Sequence, residues 1–118
     1  MGKKNCSIAS HNAIPTVEQP CDGTERTYFE DFTENHNKVS LHVVSSTPPP
    51  CTMFLFIETD EDPTPEPIPV LVHEPIGFGE ISIVAENVRR IAVRCEGDET
   101  ALCTGFIFFE KTFCICCP

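Results

Sequence analysis

Short stretches in which apolar and polar residues alternate run through this sequence, and turn residues separate them. They predict seven strands, at residues 27–32, 39–44, 52–58, 68–73, 80–85, 88–94 and 104–113. Proline and glycine recur between the stretches at intervals of roughly eight to twelve residues, and proline is incompatible with the interior of a helix. We therefore predict an all-β, single-domain β-sandwich or jelly roll of about seven to eight strands.

Two of these stretches have distinct patterns. In residues 39–44, Val39, Leu41 and Val43 point to one face and His42 points to the other, as in a strand with one buried face. Residues 52–58 are apolar on both faces, which predicts a central strand that is packed on two sides.

The length of 118 residues is sufficient for one domain. Residues 1–19 are polar, are interrupted by Pro15 and show no clear period, so we interpret them as a flexible N-terminal connector arm. The predicted jelly-roll core then comprises residues 20–113, and residues 114–118 form a cysteine-rich C-terminal tail.

The formal net charge of −10 disfavours binding to nucleic acid, because only eight lysine and arginine residues oppose eighteen acidic ones. No stretch approaches the roughly 20 apolar residues of a membrane span, so no contact with a membrane is expected. The first ten residues also lack the apolar stretch of a secretion signal.

No pattern in the sequence points to catalysis. It contains no serine-hydrolase elbow, no HExxH zinc motif and no phosphate-binding loop. We expect His42 and His73 to be surface residues, and we assign no active site, no cofactor and no resident metal. The acidic, proline-rich residues 60–67 are interpreted as a solvated loop that prevents pairing at a sheet edge.

Eight cysteines are a high number for a chain of this length and point to an oxidising destination. Structural zinc is the main alternative, but the chain lacks the two paired CxxC knuckles of a zinc site, and the CxCC cluster at its end is better suited to two different neighbours than to one ion. Disulfides are therefore favoured, although the sequence does not determine their connectivity.

The cysteines fall into two groups by position. Four lie at the ends of predicted strands: Cys21, Cys51, Cys95 and Cys103. Four lie near the chain ends: Cys6, Cys114, Cys116 and Cys117. Cysteines at the chain ends add little as internal links but can reach another molecule, so we predict disulfides between subunits for the second group.

Three stretches resemble endospore-appendage pilins, the subunits of spore pili in spore-forming bacteria. They are residues 16–38, residues 80–95 (EISIVAENVRRIAVRC) and residues 103–108 (CTGFIF). The resemblance implies a single jelly-roll domain whose N-terminal connector enters neighbouring subunits and forms disulfides with core cysteines. It also implies synthesis in the mother cell without a signal peptide, and an extracellular location on the endospore surface.

Carried over to this sequence, the resemblance implies that Cys6 is the connector cysteine and that Cys21 and Cys103 are its acceptors. The connector of the family usually carries a pair of cysteines, whereas this chain has Cys6 alone. The family usually ends near the aromatic residue that matches Phe108, whereas this chain continues to CICCP, which suggests an additional link. A weaker resemblance is to cysteine-rich exosporium proteins, which also assemble into cross-linked layers.

These observations favour a structural subunit that polymerises with copies of itself into a head-to-tail helical or stacked-ring fibre, with a spore-surface anchor protein as a further partner. Two alternatives stay open. One is a disulfide-stapled binding module that recognises a receptor or a glycan, for which a monomer with all cysteines paired internally is expected. The other is a zinc-binding intracellular domain.

Overall fold

The computed structural model describes residues 8–31, 33 and 36–114, and within these residues it contains strands and no helix. The strands are β1 (Ile8–Ala13), β2 (Thr16–Pro20), β3 (Asp22–Glu30), β4 (Asn37–Ser45), β5 (Thr52–Thr59), β6 (Ile68–Val70), β7 (Gly79–Glu86), β8 (Val88–Glu96) and β9 (Leu102–Cys114). All seven predicted strands are present. The described residues include no helix that is long and apolar enough to cross a bilayer.

The strands form two antiparallel sheets that face each other. The first sheet has the order β1–β9–β4–β7, with β2 also paired to β9, and the second has the order β3–β8–β5–β6. The chain passes repeatedly from one sheet to the other, and its last strand lies between the earliest strands and β4. This is the arrangement of a jelly roll, so the predicted fold class is confirmed.

The core lies between the sheets and is formed by the inward side chains of both. On β4, Val39, Leu41 and Val43 are buried while the residues between them are exposed or half-buried, as the alternation predicted. On β8, Ile91 and Val93 are fully buried. The period of two in the sequence thus determines which face of each strand packs inward.

Residues 8–20 differ from the flexible segment expected there. They form β1 and β2, which pair in succession with β9 because that strand is thirteen residues long and offers its free edge to both. Gln19 anchors β2 to the opposite sheet: its Nε2 donates to the Val93 carbonyl at 3.1 Å, and its Oε1 accepts from the Tyr28 hydroxyl at 2.7 Å. The division of the chain into arm, core and tail stays a prediction.

The strand β5 lies between β8 and β6 in the second sheet. Its inner face is buried in the core, and Arg94 lies over the phenylalanines on its outer face, of which Phe56 is only 9% exposed. The guanidinium of Arg94 lies 5.8 Å from the Phe54 ring centroid and 5.0 Å from that of Phe56. A cation over the faces of two rings shields apolar surface that would otherwise meet water.

Candidate subunit interface

The sandwich has two chemically different ends. Because β3 and β8 are antiparallel, Asp22 pairs with Glu96 at one end and Glu30 pairs with Arg90 at the other. We call the first the disulfide end, and it holds Cys21, Cys51, Cys95 and Cys103. We call the second the polar end, and it holds Asp31, Asn37, Arg89 and Lys111.

At the disulfide end, two disulfides join one sheet to the other. Cys21 follows β2 in the first sheet and is bonded to Cys51 before β5 in the second, with a Cα–Cα distance of 6.2 Å. Cys95 on β8 is bonded to Cys103 on β9, with a Cα–Cα distance of 6.0 Å. All four are buried, so these bonds close the end of the core.

These bonds bear on the predicted roles of the core cysteines. Cys21 and Cys103, which were candidates for bonds between subunits, are bonded within the subunit to Cys51 and Cys95. A thiolate from another molecule would therefore have to reach them by disulfide exchange. Their role between subunits stays a prediction.

The chain termini lie at the polar end. Ile8 pairs with Cys114, the last residue of β9, so both ends of the described chain leave the sandwich there. Cys6, Cys116 and Cys117 lie outside the described residues. The cysteines near the chain ends are thus connected to the end of the sandwich opposite the two disulfides.

A cleft of about 210 Å³ lies at the disulfide end beside Cys21. It is lined by Cys21, Asp22, Gly23, Glu96, Gly97 and Glu99. A hydrogen bond from the Thr24 backbone N–H lowers the pKa of the Asp22 carboxyl. Three carboxylates line this acidic cleft; that of Glu96 is paired with Arg94 at 3.2 Å, and those of Asp22 and Glu99 favour a positively charged segment.

The polar end is built around the carboxylate of Asp31, whose side chain is only 1% exposed. Its Oδ2 lies 2.8 Å from Lys111 Nζ and accepts from Asn37 Nδ2 at 2.8 Å, while its Oδ1 accepts from the Thr33 hydroxyl at 2.6 Å. Burial raises the pKa of Asp31, but these donors outweigh burial and hold the pKa well below its usual range.

A second carboxylate is fixed at the same end on the surface. Arg89 donates to Asp60 through Nε at 2.8 Å and Nη2 at 2.9 Å, and to the Thr33 carbonyl through Nη1 at 2.8 Å. The predicted solvated loop thus begins with an anchored residue, while most of the rest of residues 60–67 is exposed. Sequence reasoning missed this network, since its members come from distant segments.

The predicted surface histidines are on the surface. His42 lies on the outer face of the first sheet, where Nδ1 is 2.7 Å from the Ser82 hydroxyl and Nε2 is 2.9 Å from Glu80 Oε2. His73 is exposed beside β6. Within the part of the chain that the structure describes, no three metal-ligating side chains gather into a site.

The outer face of the first sheet also carries apolar side chains. Phe106 and Phe108 on β9 are 40% and 43% exposed, and Val84 on β7 is 61% exposed. The sequence contains the signal for this face, because the aromatic residues of β9 occupy both alternating positions rather than one. Apolar residues grouped on a solvent face are a common sign of protein contact.

The fold and its intersheet disulfides define a disulfide-stapled jelly-roll protein. It is similar to the solved structure described as "Bacillus endospore appendages form a novel family of disulfide-linked pili", with a TM-score of 0.72 and 11% sequence identity over 96% of this chain and 93% of that chain. At this identity the likeness shows the fold alone, and for the fold it confirms the resemblance seen in the sequence.

A second solved structure, that of infectious bursal disease virus Gx strain, has a TM-score of 0.42 and 8% identity, covers 92% of this chain and 32% of that chain, and carries no argument. No protein-family model matches the chain, and no curated protein matches it.

Proposed function

We propose that this protein is a structural subunit, not an enzyme, that self-assembles head-to-tail into a disulfide-cross-linked, pilus-like fibre on the endospore surface. One observation carries the proposal: the chain ends leave the polar end, whereas the acidic cleft and the core disulfides lie at the opposite end. A contact between opposite ends repeats without closing, and such heterologous contacts build open filaments.

Charge complementarity supports a specific contact. The seven residues before β1 carry Lys3, Lys4 and Cys6, and seven residues can span at most about 23 Å. The acidic cleft beside Cys21 presents carboxylates to such a segment. The lysines of one subunit would therefore bring Cys6 next to a core cysteine of the following subunit.

Disulfide exchange then makes the contact covalent. The Cys6 thiolate attacks Cys21, the Cys6–Cys21 bond forms, and the Cys21–Cys51 bond breaks to release Cys51 as a thiolate. One disulfide replaces another, so this step requires no oxidant. A new bond to Cys103 would form in the same way, with Cys95 as the leaving thiolate.

The remaining surfaces have roles in the same assembly. The exposed aromatic residues of β9 suit lateral contact between neighbouring copies in a helical or stacked-ring fibre. Cys114, Cys116 and Cys117 provide a further link, either sideways or to a spore-surface anchor protein. The likeness to the spore-pilus fold supports an extracellular location on the endospore surface, and we propose synthesis in the mother cell.

The test is a non-reducing gel combined with negative-stain electron microscopy of the full chain purified without reductant. We expect a ladder of covalent oligomers and filaments. The Cys6→Ser variant should lose the ladder and its resistance to denaturants more than it loses filaments, because contacts other than the disulfide persist. To separate the connector from the C-terminal cysteines, this comparison is made with Cys114, Cys116 and Cys117 changed to serine in both proteins, and the protein that retains Cys6 should keep the ladder.

Two outcomes contradict the proposal. A wild-type protein that stays monomeric on the gel and forms no filaments excludes self-assembly. A ladder that survives in Cys6→Ser would show that Cys6 is not the cysteine that links one subunit to the next. Glu96→Lys with Glu99→Lys should slow fibre growth, whereas Glu61→Lys with Glu66→Lys, the same change of charge in the 60–67 loop, should leave it unchanged.

A second candidate function is a disulfide-stapled binding module. It is favoured by the pairing of all four core cysteines within the subunit. This function predicts a monomer, and a comparison of intact mass with and without reductant distinguishes it from the fibre subunit.

A further inference from the structure

Three side chains with complementary reactivity meet at the polar end. The Oδ2 atom of Asp31 lies 2.8 Å from Lys111 Nζ and also accepts a hydrogen bond of 2.8 Å from Asn37 Nδ2. A nucleophilic amine and an amide nitrogen therefore contact the same carboxylate oxygen. A shared acid–base group between an attacking nitrogen and a leaving nitrogen is the arrangement that amide exchange requires.

The carbonyl group of Asn37 is polarised by the backbone. The Val88 N–H donates to Asn37 Oδ1 at 2.9 Å, and Asn37 Nδ2 donates to the Val88 carbonyl at 2.9 Å. The amide is thereby fixed in one orientation, and the Val88 N–H points at the oxygen on which negative charge develops during attack at Cγ.

The backbone register places the amine on the correct face. On β4 and β9, Asn37 pairs with Phe113 and Val39 pairs with Lys111, so Asn37 and Lys111 are diagonal neighbours on the inner face of the sheet. The Lys111 Nζ lies 4.8 Å from the Phe113 ring centroid and 5.8 Å from that of Phe29. Asn37 is fully buried and the Lys111 side chain is 17% exposed, which limits access of water.

We propose that Lys111 and Asn37 become joined by an isopeptide bond after folding, with Asp31 as the acid–base residue. Lys111 transfers a proton to Asp31, and its neutral Nζ attacks Asn37 Cγ. Asp31 gives that proton to Nδ2 and then takes the second proton from the attacking Nζ; the Cγ–Nδ2 bond breaks as the Nζ–Cγ bond forms, and the released nitrogen accepts the second proton and leaves as ammonium.

The reaction balances without a co-reactant. Of the three protons on the Lys111 ammonium, one remains on the new amide and two leave with the amide nitrogen of Asn37 as ammonium. Asp31 returns to the carboxylate form, and nothing is oxidised or reduced. Proximity of the amine to the amide contributes most of the acceleration, as in other intramolecular acyl transfers.

The geometry favours Asn37 rather than Asp31 as the acyl donor. Asp31 accepts hydrogen bonds from Thr33 and Asn37 and pairs with Lys111, and an ionised carboxylate is a poor electrophile. Asn37 instead has an uncharged carbonyl with a donor on its oxygen. The bond would tie β4 to β9 at the end opposite the two described disulfides, and it would persist under reducing conditions.

Intact mass spectrometry of the full chain, reduced and denatured, tests the proposal. We expect a mass below that of the sequence by one ammonia molecule. Trypsin should then release a branched peptide in which residues 27–38 are joined to residues 95–118 and Lys111 is not cleaved. An unchanged mass, or a loss of one water with a bridge to Asp31, would overturn the proposal.

Two substitutions test whether the loss of ammonia depends on Lys111. The Lys111→Arg variant keeps a cation beside Asp31 but lacks the amine, so it should fold and show the full sequence mass. The Lys38→Arg variant, a matched change at the adjacent exposed position on β4, should keep the ammonia loss. A loss that persists in Lys111→Arg would indicate an asparagine succinimide instead, and would also overturn the proposal. These masses are measured on the monomer, so their outcome does not depend on fibre formation.

Discussion

The disulfide end and the polar end both hold the two sheets together, but they do so by different chemistry. Each must hold two sheets together where the strands stop and the core meets water. The disulfide end does so with two buried covalent bonds, whereas the polar end uses a buried carboxylate with its surrounding donors. The first depends on the redox state and the second on protonation, so the two ends should fail under different conditions.

The largest effect is expected from Asp31→Ala at the polar end. The change leaves Lys111 and Asn37 without their shared acceptor, and removing one partner of a buried ion pair costs about 3–5 kcal/mol. Urea unfolding of Lys111→Arg, which keeps a cation beside Asp31 but cannot form the isopeptide bond, is compared with that of Lys111→Arg carrying Asp31→Ala, both with disulfides intact. A loss below about 1 kcal/mol would show that the network behaves like a surface salt bridge.

Removal of either disulfide should lower the free energy of unfolding by less than the largest loss expected at the polar end, and the two disulfides should also differ from each other. Cys21 and Cys51 are separated by 30 residues, and Cys95 and Cys103 by 8. On the chain-entropy model, removing the first bond as a double serine variant costs about 3.6 kcal/mol and removing the second costs about 2.5 kcal/mol. Equal losses in urea unfolding would contradict this ranking and point to a role for native-state packing.

Acid should weaken the polar end selectively. The pKa of Asp31 is lowered in the folded state, so its contribution to stability is present above the usual aspartate pKa and is lost as the pH falls through the lower folded value. We expect the stability of Lys111→Arg, which keeps the ion pair, to fall on acidification below about pH 4. In Asp31→Asn with Lys111→Arg, this part of the decline should disappear from the pH profile of the melting temperature.

The smallest effect is expected outside both ends. Glu80 Oε2 lies 2.9 Å from His42 Nε2 on the outer face of the first sheet, and the two side chains are 54% and 39% exposed. Solvent screens such pairs, so Glu80→Gln should change the unfolding free energy by less than about 1 kcal/mol. A loss as large as that of Asp31→Ala would contradict the claim that burial gives the polar end its strength.

The local sequence pattern was sufficient to predict most of the strands of the fold. The alternation in β4, β7 and β8 predicted both the strands and their buried faces, because a period of two in the sequence is also the period of a strand. Proline and glycine marked the ends of these strands, and the four cysteines at strand ends were candidates for disulfides; the structure joins them in two bonds between the sheets.

Only the tertiary structure decided which segments meet. Residues 8–20 became strands because β9 is long enough to offer them an edge, a property of a segment some ninety residues away. The jelly-roll topology brings the end of β2 to the start of β5 at the disulfide end, where Cys21 pairs with Cys51. At the polar end it brings together Asp31, Asn37 and Lys111. Sequence patterns encode the face of each strand, whereas contacts between distant strands follow from how the two sheets close over one core.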